Sequence, residues 1–483
     1  MQPFIFAALC FAPAIITATV AQAQTPPTTI TSPPVADSAT PLLTVDEVVR
    51  LAIQNNPRII AASRDVESAA AGVHSARALT NPNAFFAPGI TSISGTGEEF
   101  FIQQPLEING TRGARTGVAQ ALLRASQAQA NVSVRDIVFS ARSSYYELER
   151  AREQAGVARE ALEVAREFDR IARRQVEEGA RAGIDLAQTG LEVSRAQRQV
   201  TLADGQVISA LAALNTALGR DPATPVGPLT PLIRLSENAT DFGGVPVPSA
   251  APVQGISTPN SSPEQSPPPT SGAVDLGTAT LLNQALSSRT EIQAGQATGE
   301  QFRQEARLAR AEGRPDLVPQ FRIGYFTRGL QSANEGNGAG IGLALTLPVL
   351  DYGSRRNRIQ QAEQSARAQD ARVVAIQNEV RQQVTQALAR QRAAESVVYA
   401  YQGDGGDGES SGGALQQARR LLEGSRVGFR EGRTNIVALL EAQRSFRAVQ
   451  NEYVNALADA AIARAEVERA TGAFPVTSLP VRP

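Results

Sequence analysis

The sequence predicts a mainly α-helical fold with a β-barrel portion, in which a long helical hairpin and a pair of β-strands each occur twice. First, the pattern of Pro, four residues, Gly, a hydroxyl residue and Arg occurs at residues 105–112 and again at residues 348–355. Second, each copy follows a run that alternates like a strand and precedes a long run with helical periodicity. Third, matched positions keep a nearly constant offset, which is typical of an internal duplication. The two predicted strand-to-helix switches consist of Pro105, Gly110 and Arg112, and of Pro348, Gly353 and Arg355.

The offset between the copies changes only in stretches that resemble loops. Residues before the strands match at an offset of 233, the switches match at 243, and Gly179 matches Gly432 at 253. Two insertions of ten residues account for both changes, and they fall in the Gly-rich stretches 329–340 and 403–413. The alternative is chance agreement in a chain rich in Ala, Arg and Gln.

Composition and duplication together predict the division of the chain. The predicted segments are a signal peptide (1–23), a flexible lead-in (24–43), a first repeat (44–220) with strands at about 84–104 and a tip turn at about 178–184, a linker rich in Pro, Ser and Thr (221–275), a second repeat (276–473) with strands at about 317–347 and a tip turn at about 431–436, and a C-terminal tail (474–483).

The N-terminus has the pattern of a cleaved secretory signal. An apolar core precedes Ala21 and Ala23, whose small-x-small spacing is typical of a cleavage site, although no Lys or Arg precedes the core. The only cysteine, Cys10, lies in this core after Leu9 rather than after a small residue, so we expect neither a lipid anchor there nor a thiol in the mature chain. Disulfides and thiolate metal sites are therefore not expected.

The first repeat is expected to begin with an interrupted helix. Thr44 and Glu47 have the spacing of a capping box. Pro57 is expected to divide the helical run into a short helix and a longer one, because proline removes a backbone donor and disrupts the preceding turn. The helix should then end before Pro82.

The strand runs alternate as membrane strands do. In the second copy, Ile341, Leu343, Leu345 and Leu347 alternate with Gly342, Ala344 and Thr346. Membrane strands place apolar residues toward lipid and small or polar residues toward the lumen. In the first copy, Gly95 and Gly97 predict the hairpin turn. Candidate interface aromatics are Phe85, Phe86, Phe100, Phe101, Phe326 and Tyr352. A soluble, half-buried hairpin is the alternative.

The helix after each switch is predicted to be far longer than most globular helices. Residues 112–178 correspond to about 67 residues, or roughly 100 Å. Alanine recurs along this run at the spacing of a coiled-coil seam, so a partner helix can approach closely. The run breaks at Gly179, and residues 184–218 are expected to return alongside it.

The strand count implies an assembly. About eight strands are needed to close even a small barrel, and open strand edges are not tolerated in lipid. One chain supplies four predicted strands, so it must associate with further copies. After the predicted signal peptide, no run approaches the roughly 18 apolar residues of a membrane-spanning helix. Three copies in a closed ring would supply twelve strands and twelve helical passes.

The paired hairpins, the two switches and the tip sequences Glu-Gly-Ala-Arg-Ala-Gly-Ile-Asp-Leu and Glu-Gly-Arg-Thr-Asn-Ile-Val-Ala-Leu-Leu-Glu resemble the TolC family of outer-membrane efflux proteins. This resemblance implies a homotrimer with a twelve-stranded outer-membrane barrel and a periplasmic α-helical tunnel. It further implies docking to a periplasmic adaptor (membrane fusion) protein and to an inner-membrane pump, of the RND type. Residues 104–115 are similar to the subfamily paired with heavy-metal exporters, which extends the expected cargo to metal cations.

The same resemblance places a periplasmic entrance at the two tip turns. In the family, an acid on one turn and a base on the other close the entrance, and acidic rings line the pore. The residues at the corresponding positions are Gly179, Asp185, Gly432, Arg433, Thr434 and Glu441. Ala438 stands where the family often has an acid, so we expect one acidic ring, from Glu441, and a weaker closing network.

No enzyme, cofactor or metal site is predicted. His74 is the only histidine and lies in an Ala-rich helix, so a Ser-His-Asp triad has no support. No HExxH motif, P-loop or pair of cysteines is present. The net charge of -1 gives no bias toward nucleic acid. The competing class is a soluble or surface-exposed elongated coiled-coil scaffold, which would not need four alternating strands at matched positions.

Overall fold

The computed structural model describes residues 43–87, 96–179, 182–232, 276–327, 338–346, 351–403, 412–431 and 433–473. The elements of the first half are α1 (Val45–Asn55), α2 (Pro57–Arg77), β1 (Asn83–Ala87), β2 (Thr96–Gln103), α3 (Thr111–Glu177) and α4 (Gly183–Ala217). Those of the second half are α5 (Leu276–Ser288), α6 (Thr290–Ala311), β3 (Asp316–Thr327), β4 (Gly338–Thr346), α7 (Ser354–Gln402), α8 (Ala414–Arg430) and α9 (Ile436–Thr471). The predicted signal, lead-in, linker core and tail lie outside the described residues.

The break between α1 and α2 lies at Pro57, as predicted. Thr44 Oγ1 accepts a hydrogen bond from the Glu47 N–H at 3.3 Å, which caps α1. The Glu47 carboxylate completes no capping box and instead pairs with Arg50 at 3.1 Å. Pro57 opens α2, where its missing N–H costs nothing, and Asn56 caps that helix through the Arg58 N–H at 2.9 Å.

The second half contains the same break without a proline. Asn56 Nδ2 donates to the Ala217 carbonyl at 2.8 Å, at the end of the returning helix α4. At the matched break, Arg289 Nη1 donates to the Ala470 carbonyl at 3.1 Å, at the end of α9. Asn56 and Arg289 are related by the offset of 233, and Ala217 and Ala470 by the offset of 253. The duplication therefore extends to which backbone carbonyl each break residue binds.

Helix α3 contains 67 residues and begins one residue before the predicted start. It packs along α4 through small side chains. The seam consists of Ala155, Ala158, Leu162 and Ala165 of α3 with Ala196, Val200 and Ala203 of α4. Alanine at these positions allows the close helix approach that the sequence pattern predicted.

The four strands form one antiparallel sheet in the order β1-β2-β3-β4. The β2–β3 pairing joins the two halves of the chain, with Phe100 opposite Ile323 and Ile102 opposite Phe321. β2 begins at Thr96, so Gly97 belongs to the strand and not to the predicted turn. The reason is tertiary, because the long strand β3 offers a pairing partner for Gly97 at Phe326. Gly95 and Leu347 lie outside the described residues.

One face of the sheet is apolar and exposed. Residues on this face, related by the strand register, are Phe86, Phe100, Ile102, Phe321, Ile341, Leu343 and Leu345. Ile341 is 88% exposed and Leu343 is 66% exposed in the single chain. Phe85 and Phe101 lie on the opposite face, where their rings stack at 4.9 Å. Two of the predicted interface aromatics therefore point away from the face that the other two share.

The second insertion falls where α7 stops. Residues 404–411 lie outside the described residues, but the flanking Gly403 and Gly412 form an antiparallel bridge. Paired strand residues have Cα atoms about 5 Å apart, close to the 3.8 Å of a direct peptide link.

Deletion of residues 404–411 is therefore expected to leave assembly intact, because the two ends already meet. Detergent extraction followed by size-exclusion chromatography would measure this. A deletion variant that no longer forms the parent's oligomer would show that the insertion packs against the helices.

Midway along α3, Glu149 is a buried carboxyl with 6% of its surface exposed. Burial, helped by the nearby Glu153 charge and opposed by Arg152, raises its pKa from 4.5 to about 7. The neighbouring Tyr145 hydroxyl donates to the Leu43 carbonyl at 3.1 Å and accepts from the Thr230 N–H at 2.9 Å. This region thus holds the segments before α1 and after α4 against α3.

The Glu149 carboxyl should make stability depend on pH. Its folded pKa lies above the unfolded value, so between about pH 4.5 and about pH 7 the folded protein binds a proton that the unfolded chain has lost. Stability should fall as pH rises through this window and stay level above it. Glu149→Gln should raise stability by up to about 3 kcal/mol above pH 7 and flatten the profile. Thermal melts across this range test it; a parent-like profile in the variant would contradict it.

Candidate functional site

The first tip turn joins α3 to α4 and depends on a left-handed glycine. Gly179 has φ of +72° and donates its N–H to the Val176 carbonyl at 3.0 Å, which ends the helix. A Cβ at Gly179 would meet nothing within 4 Å, so the backbone conformation and not space requires glycine. Asp185 lies in the first turn of α4, where a carboxylate complements the positive end of the helix, and it is half-buried.

The second tip turn joins α8 to α9 and is built on one carbonyl. The Gly428 carbonyl accepts from the N–H groups of Arg433 at 2.8 Å and Thr434 at 3.1 Å. Asn435 then caps α9 through the Ala438 N–H at 2.8 Å. The exposed Arg433 guanidinium pairs with the Glu431 carboxylate on its own turn. Gly432 lies outside the described residues.

The two tip turns are held together by one apolar cluster. Its buried members are Phe168 and Ala172 of α3, Leu422 and Phe429 of α8, and Ile436, Leu439, Leu440 and Ala442 of α9. Leu186 of α4 packs against it. Four helix ends thus meet in one core, so the described residues among those predicted for the entrance lie at the same end of the protein.

An ion network next to this core links the two tips. Arg444 of α9 donates to Glu192 of α4 at 2.7 Å, and its other nitrogen lies 3.7 Å from Glu441. Glu192 is 6% exposed, whereas Glu441 is 73% exposed. Burial alone would raise the pKa of Glu192, but the hydrogen bond and charge of Arg444, with Arg447 and Arg195, lower it overall.

Sequence reasoning found Glu441 and missed Glu192 and Arg444. No local pattern connects residues 252 positions apart. The only hint in the sequence was the duplication. At the offset of 253, Glu192 corresponds to position 445, which is next to Arg444. The network keeps the buried Glu192 carboxylate ionised inside the tip and places the Arg444 guanidinium near the exposed Glu441.

At the other end of the helices, both predicted switches have the same backbone. Gly110 and Gly353 are the N-caps of α3 and α7 with φ of +83° and +82°. Arg112 Nε donates to the Arg77 carbonyl at 2.8 Å, and Arg355 Nη1 donates to the Gly313 carbonyl at 3.2 Å. Each motif arginine therefore caps the end of the helix that precedes the strands, which explains why the pattern contains Arg.

The switch backbone is further held by ionic contacts that differ between the copies. In the first, Arg115 binds Glu107 in bidentate fashion at 2.6 and 3.2 Å, and Glu107 has a positive φ of 39°. The hydrogen bond from Arg115 lowers the pKa of Glu107 against the opposing effect of burial. In the second, Asp351 accepts from the N–H groups of Gly353 and Arg355. Pro348 lies outside the described residues, and Pro105 follows the last residue of β2, Gln103, by two positions.

Within the described ranges, no group of three or more His, Cys, Asp or Glu side chains could hold a metal ion. No described helix has an apolar stretch of the length needed to cross a membrane.

A comparison with protein families decides what this architecture is. The model of the outer membrane efflux protein family matches residues 48–220 and 281–473. The chain belongs to this family. The efflux protein is therefore an outer-membrane channel component that extends into the periplasm, and it is not an enzyme. Family membership also argues against the competing prediction, an elongated coiled-coil scaffold. No curated protein matches the chain significantly.

Solved structures of bacterial outer-membrane proteins share the fold of this efflux protein. The Campylobacter jejuni CmeC outer membrane channel is similar at 18% identity, with 89% of this chain and 85% of that chain covered and a TM-score of 0.65. The Vibrio cholerae outer membrane protein VceC is similar at 18% identity, with 89% and 96% covered and a TM-score of 0.64. The Neisseria gonorrhoeae MtrE outer membrane channel is similar at 16% identity, with 89% and 88% covered and a TM-score of 0.65.

Proposed function

We propose that three copies of this efflux protein form a passive conduit, with a twelve-stranded barrel in the outer membrane and an α-helical tunnel in the periplasm. The observation that carries the proposal is the sheet. Among the described strands, β1 and β4 each pair with a single neighbour, so both edges are open. Open edges leave backbone groups unpaired in lipid, and four strands are too few to close. In a closed ring of copies, each open edge pairs with an edge of the neighbouring copy.

Exposed apolar side chains on α4 support lateral association of the copies. Ile184 is 67% exposed, Leu191 52%, Leu202 56% and Ile208 69%. Such residues occur along most of a 35-residue helix whose other face packs on α3. A neighbouring copy would bury them, at about 25 cal/mol per Å² of apolar surface removed from water.

In this proposal, an inner-membrane pump of the RND type and a periplasmic adaptor protein deliver the substrate at the tip turns. The entrance is formed there by Gly179 and Asp185 on one turn and by Gly432, Arg433 and Thr434 on the other, with Glu441 inside. Threefold repetition would place three exposed Glu441 carboxylates around one axis. Their summed potential favours cations, so we propose cationic substrates and metal cations among them.

Single-channel recording in planar bilayers tests the entrance. Glu441→Gln is expected to lower the cation preference, because it removes one charge from each copy while keeping the side-chain shape. Arg433→Ala is expected to raise conductance by removing the ion pair with Glu431 that orders the second turn. Each exposed pair is worth only about 0–1 kcal/mol, so the effect should be on current and not on folding. Unchanged conductance and selectivity in both variants would place the constriction elsewhere.

The conduit itself is tested by fractionation. A trimer that leaves the outer membrane only with detergent, and that opens ion-conducting pores in planar bilayers, is the expected result. A protein released without detergent as an elongated monomer would contradict it.

A further inference from the structure

An arginine-lined cavity lies between the start of α3 and the end of α6. Its volume is about 340 Å³, and its lining includes Arg307, Arg310 and Arg314 facing Gly110 and Gly113. Among the residues that the structure describes, no carboxylate lines it. Three guanidinium groups therefore share one cavity, which makes it a place where an anion would be stabilised.

The positive charge of this cavity is only partly compensated. Arg310 pairs with Glu363, which approaches from α7 on the other side of α6. Among the described residues, the Arg307 guanidinium donates a hydrogen bond to the neutral Gln304 side chain at 3.4 Å and forms no ion pair. Arg314 makes neither an ion pair nor a side-chain hydrogen bond within the described part of the chain. At least two guanidinium groups thus retain donors for a ligand.

Gly110 and Gly113, at the start of α3, leave room in the cavity for a ligand. A Cβ built on Gly113 would meet nothing within 4 Å. At Gly110, a Cβ would lie 3.8 Å from Arg314 Nη1, so the guanidinium lies directly against the start of the helix. Arg307 and Arg314 are both exposed, so the cavity is accessible to a ligand from outside.

The cavity also lies next to the strands. Arg314 precedes the first residue of β3, Asp316, by two positions, and Gly110 follows the last residue of β2, Gln103, by seven. This inference rests on the proposed conduit, in which the strands cross the outer membrane. In that arrangement the cavity lies at the level of the headgroups of the periplasmic leaflet.

We propose that this cavity binds the phosphate of an anionic phospholipid headgroup. The planar guanidinium group matches phosphate oxygens in bidentate geometry and is less strongly hydrated than an ammonium group. Basic pockets between helices at a membrane surface bind anionic headgroups in the same way. Bound lipid would neutralise the excess charge and tie the helix ends to the membrane surface.

The first test compares two arginines of the same region. Arg314→Gln removes a cavity guanidinium, whereas Arg303→Gln removes an equal charge that pairs with Asp370 at 2.7 Å in the neighbouring groove. The purified oligomer is incubated in detergent micelles that contain equimolar phosphatidylglycerol and phosphatidylcholine, and retained lipid is counted by native mass spectrometry. Arg314→Gln should retain phosphatidylglycerol roughly tenfold less well than the parent, and Arg303→Gln should match the parent. Equal retention in both variants overturns the proposal.

The second test fills the cavity from the opposite wall. Gly113→Glu introduces a carboxylate that competes with the lipid phosphate, and Gly113→Gln is the neutral control of the same shape. Both substitutions replace a helical glycine, so both should fold. Loss of phosphatidylglycerol in the Glu variant alone is expected. Loss in both variants, or in neither, contradicts a site held by charge.

Two further measurements distinguish a lipid site from a site for free anions, and failure of the lipid site from failure of the conduit. Inorganic phosphate at millimolar concentration should displace phosphatidylglycerol only weakly; full displacement would mean that the cavity is a site for free anions and would overturn the lipid assignment. Trimer formation and single-channel conductance are measured for every variant. If parent and variants all conduct as trimers but phosphatidylglycerol retention does not change, the lipid site is wrong and the conduit stands. If the parent forms no conducting trimer, the conduit fails, and with it the position on which the lipid site rests.

Discussion

Glu291→Leu is expected to destabilise the protein by about 3–5 kcal/mol, because it leaves two buried cations without their shared partner. The side chains of Arg135 and Arg289 are 2% and 4% exposed. Arg135 Nη1 donates to Glu291 at 2.6 Å, and Arg289 donates to it through two nitrogens at 3.0 Å each. Burial, together with the Arg289 charge, lowers the pKa of Arg135 to about 10. Glu291 therefore binds both buried cations directly, and the nearby Asp136 charge adds to their compensation.

Arg135→Leu is the matched control and should cost less. It removes one cation while Glu291 keeps both contacts to Arg289. It also removes the buried Arg135 Nε, which has no hydrogen-bond partner among the described residues. The double variant should be more stable than Glu291→Leu alone. Thermal or denaturant unfolding in detergent, followed by circular dichroism, gives the three midpoints. A smaller loss for Glu291→Leu than for Arg135→Leu would show that the cations and not the carboxylate limit stability here.

The second large effect is expected in the sheet. Leu345→Arg should cost about 2–4 kcal/mol near the middle of the bilayer, because it places a charge on the face proposed to meet lipid. Leu345 is 55% exposed in the single chain, on the same face as Ile341 and Leu343. The expected result is less trimer in the outer membrane, measured by fractionation and detergent extraction.

Ala344→Arg is the control for that substitution. It changes the next residue of β4, which points to the opposite face of the sheet. A cation there would face the lumen, and assembly should be close to that of the parent. Equal trimer levels for the two variants would mean that the lipid and lumen faces are assigned the wrong way round.

The sequence was informative wherever a local rule dominates. Pro57 separates α1 from α2 as predicted, because proline lacks the backbone N–H that a position inside a helix needs. The 67-residue helix α3 could be predicted to within one residue, since its periodic run is bounded by glycines that adopt positive φ. The β4 alternation predicted which residues share a face, because side chains in a strand alternate with a period of two.

The sequence was less informative where a partner distant along the chain determines the local structure. Arg289 breaks a helix without proline, and the reason is its hydrogen bonds to the Arg469 and Ala470 carbonyls. Gly97 reads as a turn residue but becomes part of β2, because β3 extends far enough to pair with it. Neither outcome has a local signature.

The sequence by itself determined the duplication, the lengths of the long helices and the positions of the switches, because periodicity and backbone-restricted residues act within a few positions along the chain. Only the tertiary structure decided which groups those elements bring together. Arg112 and Arg355 proved to cap preceding helices, and Arg444 proved to link Glu192 to Glu441. Such contacts join residues tens to hundreds of positions apart, and their energies depend on burial and geometry that exist only once the helices have packed.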